Sequence, residues 1–356
     1  MPDFAYINAR VRAMRSRLLP PSRLEELLAA ATMDAFIQGL AATPYGSDLQ
    51  EALSRYQGLR AVDEALTKNL QRTTRAILGF ADGRPRALIQ LLLLRWDLAN
   101  LRVIVRGKHA GRAAEEIVQA LVPAGNLGEV VLKEMAGYPD LTGLAGTLES
   151  LDHPLAAAMA AGVAEYVTTK DLMSVELALD RAYGRYALSQ ARRLGADARA
   201  LRENIIAEID VANVKTALKL ASVPNLSEDR RRRFFIPAGS QAGGDRAGPA
   251  AGGVVTEKLF LDLSSPQTQA QAWERLRVHG FPVREFPSDL VAFERELDLH
   301  VAKDLAKRYL GDPLGLDIII GYLAMKSAEV ANLRLIARGK FLNLPRDQVR
   351  REMVVV

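Results

Sequence analysis

The sequence predicts an all-α fold built from one helical unit that is used three times. Apolar residues recur at three-to-four spacing along most of the chain, a pattern typical of amphipathic helices. The alternation of apolar and polar residues that is typical of β-strands is nearly absent, and only the short runs at 234–236 and 253–255 could form strands. A short phrase with a fixed order of charged and polar residues occurs three times, which indicates an internal repeat.

The repeated phrase consists of an acid, an Asn three residues later, and basic residues two and six positions after the Asn. The acid–Asn pairs are Asp97 with Asn100, Asp210 with Asn213, and Glu329 with Asn332. The basic residues are Arg102, Arg106, Lys215, Lys219, Arg334 and Arg338. On a helix the acid and the Asn flank one edge of an apolar stripe, and the basic pair flanks the other edge.

A glycine follows the phrase in the first and third copies. Gly107 and Gly339 stand where a left-handed C-cap would end the helix, a conformation that glycine adopts freely. The second copy has Leu220-Ala221 there, so we expect its helix to end differently.

Two further markers recur at nearly the same offset as the phrase. One is Leu-Val-Pro-Ala-Gly at 121–125, which returns as Phe-Ile-Pro-Ala-Gly at 235–239. The other is Val-Asp-Glu-Ala-Leu at 62–66, which returns as Val-Glu-Leu-Ala-Leu at 175–179. A looser version, Glu-Arg-Glu-Leu-Asp, occurs at 294–298. We therefore predict helical units at 1–125, 126–239 and 240–356, with a flexible Gly/Ala linker at 238–253.

Composition narrows the class of protein. The chain has 356 residues, of which 49% are hydrophobic, as in a soluble globular protein. It contains no cysteine, so disulfides are excluded. A net charge of +5 is mild for this length and predicts no nucleic-acid partner. The apolar runs at 87–94 and 314–325 are too short to span a bilayer, so any membrane association is expected to be peripheral.

The sequence predicts no catalytic residue, no metal site, no cofactor and no small-molecule substrate. Neither Gly107-Lys108 nor Gly339-Lys340 has the first glycine or the hydroxyl residue of a phosphate-binding loop. The four histidines show no metal-ligand spacing.

The start of the chain is rich in arginine and poor in acids, which is also typical of a transit peptide. The segment 4–19 leads directly into the next amphipathic segment, where Ser22 and Glu25 are spaced as a capping box. This continuity favours a structural first helix.

The repeated phrase has two interpretations. In the structural one, the acids and Asn residues bond to neighbouring backbone and fix how each unit closes, because a polar group beside an apolar stripe needs partners. In the other, the basic residues of the three copies line a surface that binds a partner, together with Arg10 and Arg12. We favour the structural interpretation for the acids and Asn residues and keep the basic residues as candidate partner contacts.

The segment Tyr6–Leu19, together with the Asn-Leu-Arg-x-Ile-x-Arg-Gly-Lys phrase, resembles the C subunit of prokaryotic V/A-type rotary ATPases, the counterpart of the d subunit of eukaryotic V-ATPases. The resemblance implies a pseudo-threefold funnel on the cytoplasmic side of the membrane proteolipid ring. It also implies a non-catalytic adaptor that receives the central stalk and carries torque for proton or sodium transport. The second copy departs from the phrase at Lys219-Leu220-Ala221.

Two alternatives belong to other classes of protein. A helical-repeat scaffold unrelated to rotary ATPases would also repeat, but a unit of about 114 residues exceeds the 20–50 residues typical of solenoids. An enzyme with an unrecognised site would show activity as a purified chain.

Overall fold

A computed structural model describes residues 4–238, 253–265, 268–281 and 289–355, and every described element is a helix. The all-α prediction is confirmed. Most of the linker predicted at 238–253 lies outside the described residues. Within the described ranges, no helix is both long enough and apolar enough to cross a membrane.

The first ten helices cover the chain up to residue 169. They are α1 (Phe4–Arg15), α2 (Pro21–Ala29), α3 (Met33–Ala41), α4 (Gly46–Leu53), α5 (Gly58–Gly79), α6 (Gly83–His109), α7 (Ala114–Ala120), α8 (Glu129–Gly137), α9 (Thr142–Ser150) and α10 (Ala156–Thr169). The remaining helices are α11 (Leu172–Arg193), α12 (Arg199–Ala221), α13 (Glu228–Arg232), α14 (Glu257–Ser264), α15 (Gln269–Val278), α16 (Leu290–Lys307), α17 (Asp317–Phe341) and α18 (Arg346–Glu352).

The chain divides into two compact units. The larger one, unit A, comprises residues 1–103, 113–136 and 302–356, and the other, unit B, comprises 104–112 and 137–301. The three-unit division predicted from the repeats stays a prediction, because it rests on repetition and not on this contact pattern.

Unit A is organised around α17. This helix is buried on most of its circumference, including Ile318, Leu323, Leu333 and Ile336. It packs against α1, α2, α3, α5 and α18. A helix buried on most of its circumference needs neighbours on most sides, and helices from both the first and the last part of the chain supply them.

Unit B is built on antiparallel helix pairs. Helix α10 ends at Thr169, and its C-cap residue Lys170 has a left-handed φ of 57°. Asp171 is the N-cap of α11, and its side chain accepts a hydrogen bond from the Met173 N–H. The two helices cross closely at Gly162, where a Cβ would lie 2.7 Å from the Cα of Val175. Helix α12 in turn packs between α11 and α14.

Two expectations about helix ends were wrong. Helices α6 and α17 do not end at Gly107 and Gly339 but continue to His109 and Phe341. Gly339 is needed for packing instead, since a Cβ there would lie 2.5 Å from a methyl group of Val349 in α18. The capping box at Ser22 is also absent, because α2 begins at Pro21 and its N-cap residue is Pro20, which has no side-chain hydroxyl.

Replacing Gly321 by Ala is expected to destabilise unit A by about 1–3 kcal/mol through overpacking. A Cβ at this position would lie 2.2 Å from the backbone N of Tyr309, so backbone has to move. The measurement is urea unfolding followed by far-UV circular dichroism. Gly79→Ala is the matched control, since nothing lies within 4 Å of its Cβ position. Equal midpoints for the two variants would contradict the close contact.

Candidate functional site: the repeated acid–Asn–basic motif

The three Asn residues of the motif make the same pair of hydrogen bonds. Asn100 donates to the carbonyl of Val122 and accepts from its N–H, both at 2.8 Å. Asn213 does the same with Ile236 at 2.8 and 2.9 Å, and Asn332 with Val354 at 2.8 and 2.7 Å. A carboxamide carries a donor and an acceptor in one plane, so it can satisfy both backbone groups of one residue.

The acids of the first two copies bind the next backbone segment. Asp97 accepts hydrogen bonds from the N–H groups of Asn126 and Leu127 at 3.0 and 2.9 Å. Asp210 accepts from Val254 and Val255 at 2.7 and 3.1 Å. Both carboxylates are buried, and each pair of N–H groups stands just ahead of a helix, α8 or α14.

A glycine allows each of these carboxylates to approach the backbone. A Cβ at Gly125 would lie 2.0 Å from an Asp97 oxygen, and one at Gly253 would lie 2.3 Å from an Asp210 oxygen. In unit B, Gly253 therefore has the position that Gly125 has in unit A, although the repeat in the sequence pointed to Gly239. Residue 239 lies outside the described residues.

The acid of the third copy lies in a larger buried network. Glu329 accepts from the backbone N–H of Leu19, from the Tyr45 hydroxyl at 2.7 Å and from the Lys326 ammonium at 2.9 Å. Lys326 also bonds the Tyr45 hydroxyl at 2.8 Å and lies over its ring. Burial lowers the pKa of Lys326, against the opposing effect of Glu329, and it raises the pKa of Tyr45.

Most of the motif's basic side chains bind acids of this same chain. Arg106 forms a bidentate pair with Glu176 at 2.5 and 2.9 Å, which raises the pKa of the guanidinium. In unit B the remaining pairs are Lys215 with Asp298 at 2.5 Å and Lys219 with Glu294 at 2.7 Å. In unit A, Arg334 bonds the Thr67 hydroxyl at 2.6 Å and lies 3.7 Å from Asp63.

The acidic partners are the residues that sequence reasoning missed as part of the site. Asp63, Glu176 and the Glu294–Asp298 segment were recognised as a repeat marker, but nothing joined that marker to the basic residues. A signal was present, because both series recur with the same period. If the helix with the acidic marker packs against the helix with the basic residues in every repeat, the acids and the bases must recur with the same period.

The remaining candidate residues lie differently. Arg102 is half-buried and Arg338 is exposed. Arg10 and Arg12 are exposed on α1, where Arg10 lies over the ring of Phe80 with 4.9 Å to the centroid. The role of all these basic residues in binding a partner stays a prediction.

The fold and the motif define an all-helical protein whose repeated polar residues join successive segments of its own chain. Its sequence matches the family model of the ATP synthase (C/AC39) subunit over residues 7–352. The chain belongs to that family.

Several curated relatives cover nearly the whole chain. The C subunit of the V-type ATP synthase of Deinococcus radiodurans is 34% identical over 99% of this chain and 92% of its own length. That of Thermus thermophilus is 34% identical over 99% of this chain and 98% of its own. The C subunit of the A-type ATP synthase of Archaeoglobus fulgidus is 28% identical over 99% of this chain and 96% of its own.

Replacing Asn213 by Ala is expected to lower the free energy of unfolding by about 2–3 kcal/mol, because it leaves the buried N–H and C=O of Ile236 without partners. Chemical denaturation measures the change. Thr216→Ala, one turn later on α12 and only half-buried, serves as control. A cost no larger than that of the control would show that the carboxamide contacts contribute nothing.

Asp210 is expected to make stability depend on pH. Burial raises its pKa to about 6, against the opposing effect of the two N–H bonds. Between roughly pH 4 and 6 the folded chain therefore binds more protons than the unfolded chain, so this residue's contribution to stability falls as pH rises. A rise of about two units in the pKa of Asp210 corresponds to about 3 kcal/mol in the free energy of unfolding.

The test compares wild type with Asp210→Asn by denaturation at pH 4 and pH 7. The stability of wild type relative to the variant should fall by about 2–3 kcal/mol from pH 4 to pH 7. The effect of the introduced amide on stability is the same at both pH values, so it cancels when the two differences are compared. Glu165→Gln, at an exposed position of α10, controls for generic charge loss. A difference between wild type and Asp210→Asn that stays flat with pH would refute the assignment.

Proposed function

We propose that this chain is a non-catalytic adaptor in the rotor of a V/A-type ATP synthase. It joins the central stalk to the proteolipid ring of the membrane and transmits torque for ion transport. It acts on the cytoplasmic face and is held at the membrane through the ring. Family membership supports the assembly, and the names of the relatives describe them as subunits of such synthases.

The observation that carries the adaptor role is the order in which the motif contacts follow one another. The acid of the first copy binds Leu127, that of the second binds Val255, and that of the third binds Leu19. With units at 1–125, 126–239 and 240–356, each copy therefore binds the unit that follows it, and the last binds the first.

The ion pairs also link each predicted unit to the one that follows it, and the last to the first. Arg106 of the first predicted unit binds Glu176 of the second, and Lys219 of the second binds Glu294 of the third. Arg334 of the third lies against Asp63 of the first. A series of equivalent contacts that returns to its start is what a closed arrangement around an axis requires, and we propose the pseudo-threefold funnel on this basis.

Such an arrangement suits transmission of torque. Close-packed helices have low compressibility, and the buried Asn and acid contacts fix the joints between units with directional bonds. The ion pairs are partly exposed, so they add orientation more than stability.

A cleft in unit A offers room for a stalk segment. Its volume is about 1190 Å³, and α3, α5, α7, α8 and Phe341 line it. Acids such as Glu64 and Glu115 alternate there with bases such as Arg60 and Lys133. We propose that a polar helix end of the stalk binds in this cleft, because mixed charge favours a defined orientation of the partner.

The test of this function is purification from detergent-solubilised membranes. A tagged chain is expected to recover central stalk subunits and the proteolipid ring in stoichiometric amounts. Recovery of the chain by itself, under conditions where the rest of the synthase stays assembled, would contradict the proposal.

Charge exchange separates joints within the chain from contacts with a partner. Arg106→Glu is expected to reduce assembly with the stalk and ring and to lower the melting temperature, and Arg106→Glu combined with Glu176→Arg should restore both, because the pair of opposite charges is rebuilt. Assembly that stays impaired in the double variant, with a restored melting temperature, would assign Arg106 to a partner contact. Arg351→Glu, exposed on α18, is the control.

A further inference from the structure

One end of unit A combines exposed arginines with outward-facing leucines. We define the α1 end face by Arg12, Arg15, Leu310 and Leu314, which lie on α1 and on the loop 308–316 that precedes α17. Neither the repeated motif nor the cleft of unit A includes these residues. Their role is independent of the adaptor proposal.

The loop 308–316 is held by hydrogen bonds at several points. The Asp312 carboxylate accepts from the N–H of Leu314 at 2.9 Å, and Arg308 lies 3.6 Å from Asp317 across the base of the loop. Asn8 of α1, only 2% exposed, donates to the carbonyls of Pro313 and Gly315 at 2.8 and 2.9 Å. The buried amide fixes the position of the loop against α1.

This fixed loop directs two leucines into solvent. Leu310 is 85% exposed and Leu314 is 64% exposed, whereas Leu316 of the same loop is fully buried. A single exposed leucine needs no explanation, but two on one anchored turn form an apolar tip. Leucines exposed at such a loop can enter a deformable apolar medium without a complementary groove.

The surroundings of the tip are cationic. Helix α1 has no acidic residue, and among the described residues Arg12 and Arg15 form no ion pair. Arg12 and Arg15 follow Asn8 at i+4 and i+7, on the face of α1 that meets the loop, and Arg15 lies 4.5 Å from the centroid of Tyr309. By contrast, Arg106, Lys215 and Lys219 of the motif are all paired with acids.

We infer that the α1 end face binds the surface of a membrane that contains anionic lipids. Leu310 and Leu314 would enter the headgroup–acyl boundary, and Arg12 and Arg15 would lie against lipid phosphates. Apolar side chains beside cations in one exposed patch are the chemistry of interfacial binding, and a single patch of this size gives weak, reversible attachment.

The experiment is co-sedimentation of the full chain with vesicles of phosphatidylglycerol and phosphatidylcholine, compared with vesicles of phosphatidylcholine alone. We expect binding to the anionic vesicles only, with a several-fold loss when salt rises from about 0.1 to 0.5 M. Leu310→Ser with Leu314→Ser should reduce the bound fraction about tenfold, and Arg12→Glu with Arg15→Glu should reduce it by a similar factor.

Matched controls are Leu342→Ser and Arg351→Glu, at exposed positions of unit A away from α1. Circular dichroism and the melting temperature verify that each variant folds. Binding that is absent, indifferent to lipid charge, or equal in the variants and the controls would overturn the inference. So would variants that bind vesicles normally but fail to recover synthase subunits, since that result would assign the face to a protein partner.

Discussion

The structure depends on one constraint, namely that polar groups placed beside an apolar helix stripe must find hydrogen-bond partners once the stripe is buried. Asn100, Asn213 and Asn332 meet it in the same way, each with both backbone groups of a residue 22 or 23 positions later. An unpaired buried amide costs far more than a typical hydrogen bond gains. The constraint therefore fixes where the returning chain must pass, and the apolar packing follows from that path.

The acid three residues before each Asn in turn binds backbone N–H groups of another segment. Asp97 and Asp210 each bond two successive N–H groups, and a glycine beside each carboxylate keeps the approach open. These N–H groups stand just ahead of helix N-termini, whose positive dipole end also favours a carboxylate. One helix thus positions two successive segments of the chain that follows it.

The third copy differs because its acid bonds a segment from the opposite end of the chain. Glu329 is longer than Asp, and it reaches the N–H of Leu19 while also binding Tyr45 and Lys326. A buried carboxylate, ammonium and hydroxyl satisfy one another there, which offsets part of the desolvation of each. The contact joins residues that no local interaction brings together, and it adds two buried side-chain partners, Tyr45 and Lys326, to the backbone bond.

The sequence by itself determined the all-α class, the threefold repetition of the motif and the family, because helical periodicity and a fixed order of residue types are local and can be read directly. It also indicated that the Asn and acid residues need backbone partners. Only the tertiary structure decided which backbone groups those are, that Glu176 pairs with Arg106, and that Gly253 lies beside the Asp210 carboxylate. It also decided where α6 and α17 end, since Gly339 is fixed by its contact with Val349. These outcomes depend on atoms far apart in the chain, and sequence spacing carries no information on their distance.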